Sequence, residues 1–302
     1  MSKLRTRNIF YPPTIFYFLL AICYFLFAMP FLALAQEPVR LYLEASQSAV
    51  APESEITIDI LLSSKQPINA LDIILHYPKD SLIPITFNDS DSMIDLWQNR
   101  HWSDNNGIIR ISGGLFEPFA GTGGHIARLT FKALLPSNAK VLLDNADVYY
   151  ADGVGTKAEV SMGALGILVT SDAPFFSVAK IDDTNPPVFE SLEYLKNPDG
   201  SGGYLAAFKA EDDASGVKAV QIRSTQWLGF DQWRAVESPA KLPSGTWKYQ
   251  ISAADNNGNV FLASLYIFPE LFKKIGAVVL LILLVIIFYS IMKKRKGKKH
   301  GF

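Results

Sequence analysis

The residues that could do chemistry are scattered along the chain. His76, His101, His125 and His300 show no zinc-like spacing such as His-Glu-x-x-His. Carboxylates are plentiful, but a glycosidase pair must face each other across a cleft, and no spacing here requires that. Gly121-Thr122-Gly123-Gly124-His125 lacks the Lys-Ser/Thr and the following helix of a phosphate loop. No catalytic constellation emerges, so neither enzymatic activity nor a cofactor is expected. Two binding chemistries remain. Trp97-Gln98-Asn99-Arg100-His101-Trp102 sets aromatic faces beside planar polar groups, which would let Trp97 and Trp102 stack on a sugar; a loop that caps a β-sandwich has the same composition. The acidic loops Asp89–Asp95 and Glu211–Asp213 offer oxygen ligands to calcium. Neither follows the twelve-residue EF-hand pattern, so they read as solvated turns and no metal site is expected.

The elements that would position these residues are strands. Glu55 to Leu62 alternates, with Ile56, Ile58, Ile60 and Leu62 on one face and Glu55, Thr57 and Asp59 on the other, as a half-buried strand requires. In Ile68 to Tyr77 the face Asn69, Leu71, Ile73, Leu75, Tyr77 is mainly apolar, and Ala70, Asp72, Ile74 and His76 share the opposite face. Tyr77-Pro78-Lys79-Asp80-Ser81-Leu82 then turns the chain, because Pro removes a ladder donor and Asp and Ser favour turns. Ser103-Asp104-Asn105-Asn106-Gly107 reads as a hairpin turn into a strand at Ile108–Ser112. Further strands are expected at Ile126–Ala133, Val141–Leu143, Val148–Tyr150 and Ala164–Val169. Short strands at this spacing predict a β-sandwich.

The segment Ile68-Asn69-Ala70-Leu71-Asp72-Ile73-Ile74-Leu75-His76-Tyr77-Pro78-Lys79-Asp80-Ser81-Leu82 resembles the cohesin signature, in which a strand carrying an Asp leads to a Tyr, a Pro-containing turn and a Leu. Three more stretches resemble that family in the expected order: Asn106 to Ile111, Gly123 to Lys132, and Val148-Tyr149-Tyr150-Ala151-Asp152-Gly153. The match spans roughly residues 38 to 170. Ala70 stands where many cohesins have Asn, and Pro78-Lys79 replaces an Asp-Pro. The resemblance implies a nine-stranded jelly-roll sandwich, similar in fold to some carbohydrate-binding modules, that holds a dockerin-bearing protein on one flat sheet face. It places Asp72 at a dockerin-contacting position. The residues themselves put Ala70, Asp72, Ile74 and His76 outward, extended across the sheet by Arg110 and Ser112.

The chain changes character at Ser171 to Pro187, where Asp182-Asp183-Thr184-Asn185-Pro186-Pro187 reads as a stiff linker. A second strand-rich unit follows, with strands at Tyr204–Lys209, Val217–Arg223, Thr246–Ala254 and Val260–Phe268. Pro186-Pro187-Val188, Asp213 to Val217 and Ala254 to Asn259 resemble the bacterial immunoglobulin-like domains of surface proteins, which implies a spacer. Trp227, Trp233 and Trp247 read as core or cover residues of that unit.

Ile275 to Met292 runs eighteen residues without a charge and is followed by six Lys/Arg from Lys293 to Lys299. At about 1.5 Å per residue this helix would be roughly 27 Å long, enough to cross a bilayer. The basic flank places the C-terminus in the cytoplasm. Residues 1–35 read as a targeting segment: Lys3, Arg5 and Arg7, an apolar run, then Ala33-Leu34-Ala35 as a cleavage site, with an uncleaved signal anchor as the alternative. The net charge of −1 conceals a segregation. All 29 acidic residues lie between Glu37 and Glu270 beside only 17 Lys/Arg, so the displayed part carries a net −12, which disfavours nucleic acid as a partner. Cys23 is the only cysteine, so that part can hold no disulfide.

The expectation is an all-β protein. A cohesin-like jelly-roll sandwich (36–171) is followed by a linker (172–187), a smaller immunoglobulin-like sandwich (188–269), a transmembrane helix (270–292) and a basic cytoplasmic tail (293–302). The expected function is surface display of a binding module for a dockerin-like protein or a polysaccharide, with carbohydrate-binding adhesion, an envelope role or an accessory part in glycan degradation as alternatives.

Overall fold

The computed structural model describes residues 37–100, 106–199, 202–226 and 229–297. The targeting segment with Cys23, the sugar-contact candidate Trp102, His101, residues 103–105 of the expected hairpin turn, Trp227 and His300 lie outside the described residues.

The chain is mostly β. The first nine strands are β1 (Val39–Ala45), β2 (Ala49–Val50), β3 (Glu55–His76), β4 (Leu82–Asn88), β5 (Leu96–Asn99), β6 (Ile108–Ala133), β7 (Ser137–Tyr150), β8 (Val160–Met162) and β9 (Ala164–Val169). Two of them are long enough to serve two layers. The first half of β3 pairs with β1 and with the end of β6, whereas its second half pairs with β7 and with the start of β6. One layer therefore runs β8–β1–β3–β6–β4, and the other runs β9–β7–β3–β6–β5.

The sequence reading divides β3 into two strands, and β6 likewise. What joins them is a set of bulges. The first half of β3 buries Ile56, Ile58, Ile60 and Leu62, and its last part buries Leu71, Ile73 and Leu75, with Tyr77 buried just past its end. The register shifts between Ser64 and Ala70, around the exposed Lys65-Gln66-Pro67, and the parity of the inward face flips there. The core position expected near Asn69 is taken by Ile68, which is fully buried. Between the layers Phe131 packs at 5.3 Å against Tyr77, among isoleucines and leucines from both sheets.

The remaining strands are β10 (Val188–Lys196), β11 (Tyr204–Glu211), β12 (Val217–Gln226), β13 (Gly229–Phe230), β14 (Arg234–Ala235), β15 (Ala240–Leu242), β16 (Lys248–Asp255) and β17 (Val260–Tyr266). They form a three-stranded sheet, β10–β11–β15, and a five-stranded sheet in which β12 pairs with β13, β14 and β16, and β16 with β17. A second core, with Phe208, Ile222, Tyr249 and Ile251 at its centre, separates them. Trp233 lies under the Arg223 guanidinium and Trp247 beside the Tyr266 ring, both half-buried as cover residues. Helix α1 (Phe268–Gly297) ends the described chain. Its span Phe268–Met292, 25 residues that include an 18-residue stretch of mean hydropathy 3.0, is long and apolar enough to cross a membrane, and its large apolar side chains are exposed.

Residues 171–187 hold no strand but are tied down at both ends. Phe176 N–H donates to Ser54 Oγ at 3.1 Å, its carbonyl accepts from Glu55 N–H at 2.8 Å, and its side chain packs on the first core. The Asp183 carbonyl accepts from the side chains of Asn257 and Asn259. The first sandwich also touches the second β unit directly. Asn256 donates to the Phe87 carbonyl at 2.8 Å, Val217 N–H donates to Asp89 Oδ1 at 2.8 Å, and Lys209 pairs with Asp95 at 2.8 Å. Gly216 sits at this seam with φ of 80°, and a Cβ there would lie 2.8 Å from the Asp89 nitrogen and from Asn88 Oδ1. Gly216→Ala is therefore expected to lose about 1–3 kcal/mol from backbone strain, with the clash added. Thermal melts of the two proteins would check it, and an unchanged midpoint would refute it.

Candidate binding face

The second half of β3 builds the outward surface of its sheet. Alternation sends Leu71, Ile73 and Leu75 into the core and leaves Ala70, Asp72, Ile74 and His76 outside. The neighbouring strands complete the surface by register. Opposite Asp72 stand Ser112 on β6 and Asp147 on β7, and opposite Ile74 stand Arg110 on β6 and Asn145 on β7.

The expected face is thus assembled, with one correction. Asp72 and Arg110 are exposed, and Ile74 and His76 are half-buried. Ser112, registered with Asp72 on β3 and Asn99 on β5, is only 9% exposed, so it offers almost no contact area. Among the described residues no hydrogen bond or ion pair takes up the Asp72 carboxylate. His76 Nε2 lies 3.2 Å from Asp144 Oδ2, and Lys157 pairs with Asp147 at 2.5 Å. The Lys157 ammonium is accordingly held above its ordinary value by Asp147. Asp152 fixes the loop that leads to Lys157. The Thr156 side chain and the N–H groups of Val154, Gly155 and Thr156 stabilise its charge and hold its pKa at about 2.

Asp144, Asn145, Asp147 and Lys157 were not legible as members of this face. Asp144-Asn145 reads as a break between two short strands, whereas it is a bulge inside β7 that keeps Leu143, Ala146 and Val148 inward. The resulting surface alternates acids (Asp72, Asp144, Asp147) with bases (His76, Arg110, Lys157) around the apolar Ile74. Such a surface can hold a partner by charge-complementary hydrogen bonds around a small apolar contact.

The other candidates fall elsewhere. Trp97 is 4% exposed, edge-on to Phe87 at 5.6 Å and covered by Arg100 at 5.0 Å, so it belongs to the core and presents no ring to a sugar. His125 sits on the opposite layer beside Asp59, away from His76. The two acidic loops are only partly solvated turns: Asp91, Glu211 and Asp213 are exposed, but each loop buries one carboxylate. Asp89 is buried against Arg100, whose Nε is 3.4 Å from Asp89 Oδ2, and Asp212 is buried as well. Burial pushes the Asp89 carboxyl up, with Arg100 opposing.

No family model matches the chain, and no curated protein matches it. Solved structures to which it is similar include cohesin modules. One is the sixth cohesin of Acetivibrio cellulolyticus scaffoldin B in complex with a mutant dockerin, 19% identical, with 43% of this chain and 99% of that one covered and a TM-score of 0.35. Another is the cohesin module of a Clostridium perfringens family 33 glycoside hydrolase, 8% identical, with 46% and 99% covered and a TM-score of 0.37. A third is a type II cohesin domain from the Acetivibrio cellulolyticus cellulosome, 12% identical, with 43% and 95% covered and a TM-score of 0.33.

Proposed function

We propose that this chain is a membrane-anchored, non-enzymatic surface protein that presents the face around Asp72 to a protein partner of the dockerin type. The observation that carries the reading is the open sheet face itself. An uncompensated exposed carboxylate stands next to a half-buried isoleucine, on the strand whose sequence resembles the cohesin signature. Helix α1 and the basic run that begins at Lys293 support an anchor with its C-terminal side in the cytoplasm, the signal segment supports display of residues 36–269 outside, and the second β unit then stands between the module and the bilayer.

The experiment is a capture assay with the full-length protein held in detergent on beads, against lysate and secreted fractions of its own organism, with a glycan array in parallel. The expected result is retention of a protein that carries a dockerin-like repeat. Retention of glycans with no protein would replace this reading with a carbohydrate-binding one, and the polysaccharide would then have to bind somewhere other than the buried Trp97.

A further inference from the structure

Three carboxylates from distant parts of the chain meet in the second β unit. Asp183 comes from the segment between the two cores, Asp212 from the loop between β11 and β12, and Asp255 from the end of β16. They are 7%, 6% and 0% exposed, and one oxygen from each lies within 4.8 Å of the other two. None of the described Lys, Arg or His side chains pairs with any of them. Three like charges this close, shielded from water, repel strongly unless protons or a cation come between them.

The distribution of hydrogen-bond donors shows where a cation would go. Asp183 is served by Asn185 N–H at 3.0 Å and the Ser215 hydroxyl at 2.7 Å. Asp255 is served by Asn259, through its N–H at 2.8 Å and its side-chain amide at 2.7 Å. Asp212 Oδ1 accepts from Gly216 N–H at 2.7 Å and Ala214 N–H at 3.3 Å. Asp212 Oδ2 is different: it is shielded from solvent, and no donor among the described residues reaches it. A bare carboxylate oxygen nine-tenths buried beside two other carboxylates calls for a partner, and a cation is the partner that would also relieve the repulsion among the three.

We propose that Asp183, Asp212 and Asp255 bind a calcium ion, with Asp212 Oδ2 as one of its ligands. The donor set selects the metal. All three side chains offer hard oxygens and no nitrogen or sulfur, which disfavours zinc, and magnesium usually takes one or two carboxylates and keeps its water. Oxygens that share a calcium at about 2.3–2.6 Å stand up to about 5 Å apart, as these do. The ion would clamp the connecting segment to the two loops that also hold the first sandwich, through Asn256 to Phe87 and Val217 to Asp89.

The test is calorimetric titration of CaCl2 into the full-length protein in detergent after EGTA treatment, with MgCl2 and matched NaCl as references, together with melts in each buffer. Saturable calcium uptake is expected in roughly the 10⁻⁴–10⁻³ M range of extracellular modules or tighter, with a raised melting midpoint. Asp212→Asn should weaken calcium binding at least 100-fold. In EGTA it should melt no lower than wild type, because its amide supplies a donor where repulsion stood. Asp183→Asn is the second variant should Asp212→Asn fold poorly. Absence of saturable uptake by the wild type, or equal uptake by both variants, would overturn the proposal and leave a proton-sharing acid cluster.

Discussion

Arg100→Ala is expected to destabilise the protein by about 3–5 kcal/mol at pH 8, the usual penalty for removing one member of a buried ion pair, and by much less at pH 5.5. Arg100 is 8% exposed and lies between the two β units. Its Nε is 3.4 Å from Asp89 Oδ2 without hydrogen-bond alignment, so the attraction there is Coulombic, and its Nη1 reaches the Val217 carbonyl at 3.5 Å. It also acts on a second acid. Burial pushes the Glu237 carboxyl up to about 7, Arg100 pulls it down, and Asp89 pushes it up again. Removing the guanidinium leaves both carboxylates without their cation.

The pH dependence follows from the direction of those shifts. A carboxyl whose folded pKa is raised binds more protons folded than unfolded, so stability falls as pH rises from its ordinary value to the raised one. For Glu237 that interval runs from 4.5 to about 7. In Arg100→Ala the upper limits for Glu237 and Asp89 move higher still, and the penalty is largest at alkaline pH and relieved by protonation on acidification. Melts of both proteins from pH 5.5 to 8 check this. A loss that stays constant over that range would assign the effect to the packing of Arg100 on Trp97 instead.

How far this arrangement could be read from sequence depends on the range of the interactions involved. Period-2 alternation is local, and it located the inward face of β3, from Ile56 to Leu62 and from Leu71 to Leu75, and placed β9 at Ala164–Val169. Bulges obey no local period, so one strand was read as two at Lys65-Gln66-Pro67 and again at Asp144-Asn145. The partners of Asp89 and Asp212 are farther off. Asp89 is held by Val217 and Arg100, and the Asp212 cluster gathers residues 183 and 255. An acidic, loop-like segment reads as solvated unless those tertiary partners are known. Trp97 misleads for the same reason, since an aromatic beside Gln and Asn suits a sugar platform and a core edge equally well until Phe87 is found beside it. Part of the outward face was legible because Asp72, Ile74, His76 and Arg110 follow from parity alone, whereas Ser112 shares their parity but is buried.

That difference makes Asp72 the sharpest probe of binding. Asp72→Arg is expected to weaken capture of the proposed partner at least 100-fold, equivalent to about 2.8 kcal/mol or more, while leaving stability within about 0.5 kcal/mol of wild type, as surface changes usually do. The carboxylate is exposed and, among the described residues, gives up no partner when replaced. An arginine there would face Asp147 across β7, so the fold keeps a favourable neighbour. A partner that matches the present surface meets the opposite outcome. It loses an acceptor and finds a cation next to Arg110, and like charges in a desolvated contact cost several kcal/mol. Because stability and binding are predicted to separate, a variant that melts normally and still captures its partner undiminished would place the interface elsewhere on the chain. A variant that melts normally and captures nothing would leave Ile74 and His76 as the next positions to change, since they share the outward face of the same strand.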